Sequence, residues 1–214
     1  MLKRALKRLR KRAESPKKPS EVVRIVVGLR NPGADYEGTR HNVGGDVVAR
    51  LLERIGEAPG RAPARISGQI AQTGTGDDRT LFLLPYTFMN ETGRTVRSTL
   101  DYYKVSTQDL LVIHDDIDLA FGRLRLQVAG GSGGHNGVRS VETALGTKEF
   151  SRLKVGVGRP PGSWDPAAYV LHPFAKSERP EVDLMVEDAA DVVQRWLSNR
   201  ERAQEMAALR GRDD

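Results

Sequence analysis

Four short apolar runs, at 22–28, 81–84, 110–113 and 124–128, each give way to turn-forming and polar residues, and helix-like stretches follow at 43–55, 92–103 and 138–145. Short apolar runs bounded by Gly, Pro, Asn and Asp read as strands. Strands that alternate with amphipathic helical segments read as an α/β sheet. The fold class expected is therefore a single α/β domain, a mixed twisted β-sheet flanked by α-helices. In open α/β sheets ligands bind outside the carboxyl ends of the strands. If each run is a strand, the asparagines, the aspartate and the histidine that follow these runs face one crevice. At the far end, Val182, Met185, Val186, Ala189, Val193 and Trp196 recur at helical spacing, which predicts an amphipathic helix over 181–196. The chain after Ser198 is charged and is expected to fray.

The first crevice candidate is His41, in Thr39-Arg40-His41-Asn42, at a strand-to-helix junction; the chain has only four histidines. An imidazole with an unperturbed pKa of ~6.5 takes up and releases protons near neutrality, so His41 is a candidate general base. The plain alternative is a structural or surface histidine. Asn31, Asn90 and Asn136 also follow strand-like runs. An amide donates and accepts hydrogen bonds without titrating, which suits substrate binding. Each has an ordinary alternative: Asn31 precedes Pro32-Gly33 and would form an Asx turn, whereas Asn90 and Asn136 would cap helices. Capping explains any single asparagine, but not why three accompany His41. Residues 130–137 hold five glycines and open a helix, as a phosphate-holding loop or a mobile lid would. They lack the Gly-Lys-Ser/Thr ending of a P-loop.

In order along the chain, NPGADYEGTRHNVG, PYTFMNETG, IHDDIDL and GGSGGHNGVRSV resemble the motifs of bacterial-type peptidyl-tRNA hydrolases, and the resemblance covers residues 22–196. Such enzymes cleave the ester between a peptide and the 3′ end of tRNA, returning tRNA from aborted translation. The resemblance implies that His41 is the base activating water and that Asp115 orients it. It implies that Asn31 and Asn90 contact substrate near the scissile ester and that Asn136 holds the tRNA end or the attacking water. Tyr36 and Met89 would line the crevice; on sequence alone Met89 reads equally as core packing, and Phe88 is left to the core. Residues 154–158 would be the last core strand. No metal and no organic cofactor are expected. One departure stands out: where relatives place two basic residues before the glycine loop, to hold a tRNA phosphate, this chain has Arg125 and Gln127. Arg125 remains a possible phosphate contact; Gln127 brings no charge. Two rivals are an inactive RNA-binding protein on the same fold and a metallohydrolase using His114, Asp115 and Asp116. Retention of His41, Asp115 and the three asparagines speaks against the first. The adjacent carboxylates of the second are not spaced as a ligand motif.

A chain of 214 residues suffices for one sizeable core. No run approaches the ~18 apolar residues that span a membrane, and cysteine is absent, so no disulfide framework exists. A cytoplasmic monomer acting on peptidyl-tRNA is expected. The net charge of +6 belongs to one end. Residues 1–20 carry nine Lys/Arg against Glu14, net +8, which leaves the body at −2. Leu2, Ala5, Leu6 and Leu9 fall on one helical face, so this arm reads as a short amphipathic helix or a disordered extension. It suits contact with RNA, the ribosome or an anionic membrane. The expected organisation is thus a basic extension at 1–20, a hydrolase-like domain at 21–198 and a charged tail at 199–214.

Overall fold

The computed structural model describes residues 22–210, so the basic arm lies outside the described residues. The strands are β1 (Arg24–Gly28), β2 (Gly60–Arg61), β3 (Gly68–Thr73), β4 (Thr80–Pro85), β5 (Leu110–Asp116), β6 (Leu124–Val128) and β7 (Ser151–Gly156). The α-helices among the described residues are α1 (Val43–Arg54), α2 (Thr92–Tyr103), α3 (Asn136–Leu145), α4 (Pro166–Val170), α5 (Arg179–Ser198) and α6 (Arg200–Leu209). One sheet runs in the order β2-β3-β4-β1-β5-β7-β6. Its centre, β4-β1-β5-β7, is parallel, while β2–β3, β3–β4 and β6–β7 pair antiparallel. No helix among the described residues is long and apolar enough to cross a membrane.

Alternation along the strands builds two cores. Val26, Phe82, Leu84, Leu111 and Ile113 face α1, α5 and α6, whereas Ile25, Val27, Leu81, Leu83 and Val112 face α2 and α3. Strands covered on both faces read as unbroken apolar runs, which is why β1, β4 and β5 stand out in the sequence. The helix expected over 181–196 forms as α5, with Trp196 only 1 % exposed.

Four expectations need correction. β3, sequence GQIAQT, was not foreseen; it is half-polar and pairs only with β4 and the two-residue β2. β5 extends to Asp116, so His114 and Asp115 lie within a strand and not in a loop after it. β6 is antiparallel: Leu124 pairs with Val155 beside Asp115, and Val128 pairs with Ser151 beside Leu111. Its carboxyl end therefore lies at the opposite edge from those of β1 and β5. The chain after Ser198 does not fray at once. Asn199 caps α6 by accepting from Arg202 N at 2.9 Å, and Ala203 and Ala207 are fully buried.

The first turn of α1 sits directly on the sheet. A Cβ at Gly44 would lie 2.2 Å from the carbonyl oxygen of Ile113, and one at Gly28 would lie 2.4 Å from that of Gly44. Leu29 N donates to Ile113 O at 3.0 Å and Gly45 N to Leu29 O at 3.2 Å. This close approach places the turn before α1 against the end of β5.

Candidate active site

His41 occupies the 3-10 turn Arg40–Asn42 just before α1 and is buried. Its Nδ1 lies 2.8 Å from Asp115 Oδ1 on β5. Arg40 secures this turn from behind: it donates to Pro173 O at 3.0 Å, forks onto Glu178 at 2.9 and 3.0 Å, and stacks on Tyr169. Burial is the largest influence on His41 and opposes its charge, but the charge of Asp115 and the hydrogen bond to it prevail and raise the imidazole pKa. For Asp115, burial would raise the pKa; the charges and hydrogen bonds of His41 and His135 outweigh it and hold the carboxyl well below its ordinary range. Donation of Nδ1–H to a carboxylate leaves the lone pair of His41 on Nε2, the tautomer a general base needs.

His135 is a site residue that sequence reasoning missed. Its Nε2 lies 2.9 Å from the same oxygen, Asp115 Oδ1. Its Nδ1 accepts from Gly137 N at 3.1 Å and Val138 N at 3.2 Å, so it is the N-cap of α3. Two N–H donors on Nδ1 fix the lone pair there and the proton on Nε2, facing Asp115. The only hint in the sequence was its place between glycines at a helix start. His114, the third histidine here, donates from Nδ1 to Asp115 O at 2.7 Å, and its ring centroid lies 4.8 Å from that of His135. Complete burial, with the nearby His135 acting in the same sense, pushes His114 down to about 3, so it is neutral at physiological pH.

These groups border a cavity of about 540 Å³ at the carboxyl edge of β1, β4 and β5. Asn31, Tyr36, Met89, Asn90 and Asn136 all line it. Asn31 forms no turn with Pro32-Gly33. Its Oδ1 accepts from Met89 N at 2.8 Å, while its backbone exchanges bonds of 2.8 and 3.0 Å with the Asn42 side chain. Asn90 and Asn136 are exposed to the cavity, and neither caps a helix: Glu91 precedes α2 without a side-chain cap, and His135 caps α3. Tyr36 meets Phe88 edge-on at 6.2 Å. Phe88 is not in the core; it is 52 % exposed and lines the cavity, while Met89 behind it is buried. The opposite wall, Pro166, Ala167, Val170 and Leu171 from α4 and its end, was not anticipated. Arg125 is not brought to this cavity: it is exposed on β6, along a groove shared with Leu119 and Gln204.

His41, Asp115 and His135 offer three ligand atoms within 4.8 Å of one another, as a metal site would. The hydrogen bonds argue against that use. A metal needs a lone pair from His135 Nε2, but the helix amides hold the lone pair at Nδ1. The His114–Asp115–Asp116 alternative fails as well. His114 turns to a backbone carbonyl, and Asp116 pairs with Lys154 at 2.8 Å. Asp118 pairs with Arg159, so of the three neighbouring aspartates Asp115 is the one that meets His41.

A family model described as peptidyl-tRNA hydrolase matches residues 25–213. The peptidyl-tRNA hydrolase of Mycobacterium tuberculosis is 50% identical over 171 residues, covering 79% of this chain and 88% of that protein. The peptidyl-tRNA hydrolase of Mycobacterium sp. strain KMS is 51% identical over the same length and shares. Among solved structures, peptidyl-tRNA hydrolase from Acinetobacter baumannii superposes with a TM-score of 0.80 at 28% identity, covering 91% of this chain and 97% of that one.

Proposed function

The chain belongs to the peptidyl-tRNA hydrolase family, and from that premise we propose how its site cleaves the ester joining a peptide to tRNA. Neutral His41 takes a proton from water at Nε2 as the water attacks the ester carbonyl. Asp115 holds the Nδ1–H and stabilises the imidazolium that forms. The bond to the ribose oxygen then breaks as the imidazolium returns its Nε2 proton to that oxygen. This gives the peptide acid, which ionises to a carboxylate in water, a free ribose hydroxyl at the tRNA 3′ end and neutral His41 again. Asn31 and Asn90 contact substrate beside the scissile ester. The Oδ1 of Asn31 is occupied by Met89 N, which leaves its Nδ2 as a donor for the oxyanion. Asn136 holds the attacking water or the tRNA end. Tyr36 and Met89 form the wall for peptide or terminal nucleoside. Arg125, away from the cavity, is left as a contact for phosphate further along the RNA.

The observation that carries this reading is the 2.8 Å couple between His41 and Asp115 inside a cavity edged by three asparagines. It favours an active enzyme over an RNA-binding protein that has lost catalysis. The same reading has the chain act as a cytoplasmic monomer, with the nine Lys/Arg of residues 1–20 suited to contact with RNA or the ribosome. The test is hydrolysis of labelled peptidyl-tRNA by the full chain. His41→Ala should lose ~10²–10⁴ in rate, and chelator should change nothing. Undiminished turnover in pure His41→Ala removes this base, and activity restored to a chelated sample by a divalent ion removes the metal-free mechanism.

A further inference from the structure

β6 begins level with Asp115, with β7 between them, and ends at the opposite edge of the sheet, so residues 129–135 must carry the chain back to deliver His135 and Asn136 to the cavity. That return path has little side-chain substance of its own. Gly130, Gly131, Gly133 and Gly134 lie along it, and Ala129 sits at φ 68, a left-handed conformation unusual for a residue with a Cβ. Glycine-rich backbone gains much entropy when released. Something outside the loop has to fix its course.

Arg152, on β7, does this from below. Its side chain is fully buried. Nη1 donates to Gly130 O and, at 2.9 Å, to Gly131 O. Nη2 donates to Lys148 O at 3.2 Å and lies 3.1 Å from Glu142 Oε1 on α3. The guanidinium stacks on the Phe150 ring at 4.3 Å. One planar fork thus joins the start of the loop, the helix it feeds and the turn beyond that helix. Nε has no hydrogen-bond partner among the described residues. A buried charge is a poor device for stability, since apolar side chains often replace one without loss.

We propose that Arg152 is a positioning residue for the hydrolytic reaction: it sets the path of the glycine loop so that His135 meets Asp115 and Asn136 faces the cavity. It touches no substrate itself. The proposal rests on the site reading above, because it assigns Arg152 an effect only through His135 and Asn136. Lysine cannot substitute fully, having one nitrogen where arginine spreads its donors across a rigid plane.

The experiment compares Arg152→Met and Arg152→Lys with the native chain on two substrates, full peptidyl-tRNA and an N-acyl-aminoacyl ester of adenosine that lacks the RNA body. Arg152→Met should lose about 10–100-fold in kcat on both, the range that a displacement of about 1 Å costs, with KM for the small ester changed far less. Arg152→Lys should recover part of that loss. Hydrogen exchange of amides 130–137 should quicken in both variants while that of β1 stays slow. A folded Arg152→Met with native kcat overturns the proposal, as does a loss confined to full tRNA, which signals direct binding of RNA by Arg152. If Arg152→Met does not fold, Arg152→Lys decides, and undiminished kcat there overturns it equally. His41→Ala measured alongside separates the readings: an active His41→Ala defeats the site assignment, and an inactive one beside a native-like Arg152→Met defeats only the present proposal.

Discussion

Under the proposed mechanism His41 is a base only while Nε2 is unprotonated, and Asp115 sets where that ends. Because the couple raises the imidazole pKa, activity should be full at alkaline pH and fall as pH drops through a value above the ordinary ~6.5. In Asp115→Asn the carboxylate charge is gone and burial is left to dominate, so the acid limb of kcat/KM should move to lower pH while the plateau falls. A limb that stays in place would show that Asp115 does not set it. The asparagines should divide by their bonding. Asn31→Ala strips the acceptor from a buried amide, Met89 N, and should lower stability by about 1–3 kcal/mol as well as rate. Asn90→Ala and Asn136→Ala remove groups that cap nothing, so they should impair kinetics with little change in Tm. A large fall in Tm in either would return that residue to a structural role.

At the scale of elements, the site depends on how closely α1 seats on β1 and β5. Gly44→Ala puts a methyl group 2.2 Å from Ile113 O, a backbone atom with no freedom to turn aside. Overpacking of this kind typically costs about 1–3 kcal/mol. Here it should also lift the His41 turn from Asp115, so Tm and kcat should fall together; a drop in Tm with native kcat would mean the turn holds its place without the helix seat. The elements differed in legibility for physical reasons. β1, β4 and β5 were legible because both faces are buried. β3 was not, because GQIAQT at the antiparallel side of the sheet carries no apolar alternation. α6 escaped notice because it buries only small side chains, Ala203 and Ala207, beneath a charged surface.

For the whole molecule, charge is the dominant asymmetry: an arm of net +8 on a body of net −2. Among the described residues, the cavity is lined by side chains between Asn31 and Leu171. Deleting residues 1–20 should therefore weaken tRNA binding and flatten its salt dependence by ~0.7–0.9 in log–log slope for each phosphate the arm had neutralised. Turnover at saturating substrate should survive. Equal affinities and slopes for the full and shortened chains would take the arm out of RNA binding and leave the enzyme untouched.

Local chemistry determined much of this protein in advance. Apolar runs specified β1, β4 and β5, while the parallel β7, expected only from the family resemblance at 154–158, forms at Ser151–Gly156. The motif residues after the runs supplied His41, Asp115 and the three asparagines, all of which border one cavity. What local chemistry does not carry is the direction in which a strand joins its sheet. β6 reads like its neighbours yet runs opposite, and that reversal makes the glycine loop a return path with Arg152 as its anchor. The second imidazole on Asp115 was hidden for the same reason. His135 and His41 stand 20 and 74 residues from Asp115, and both donate to one oxygen. Such convergence is decided by packing among distant segments, since only the assembled sheet brings their backbones within hydrogen-bonding distance.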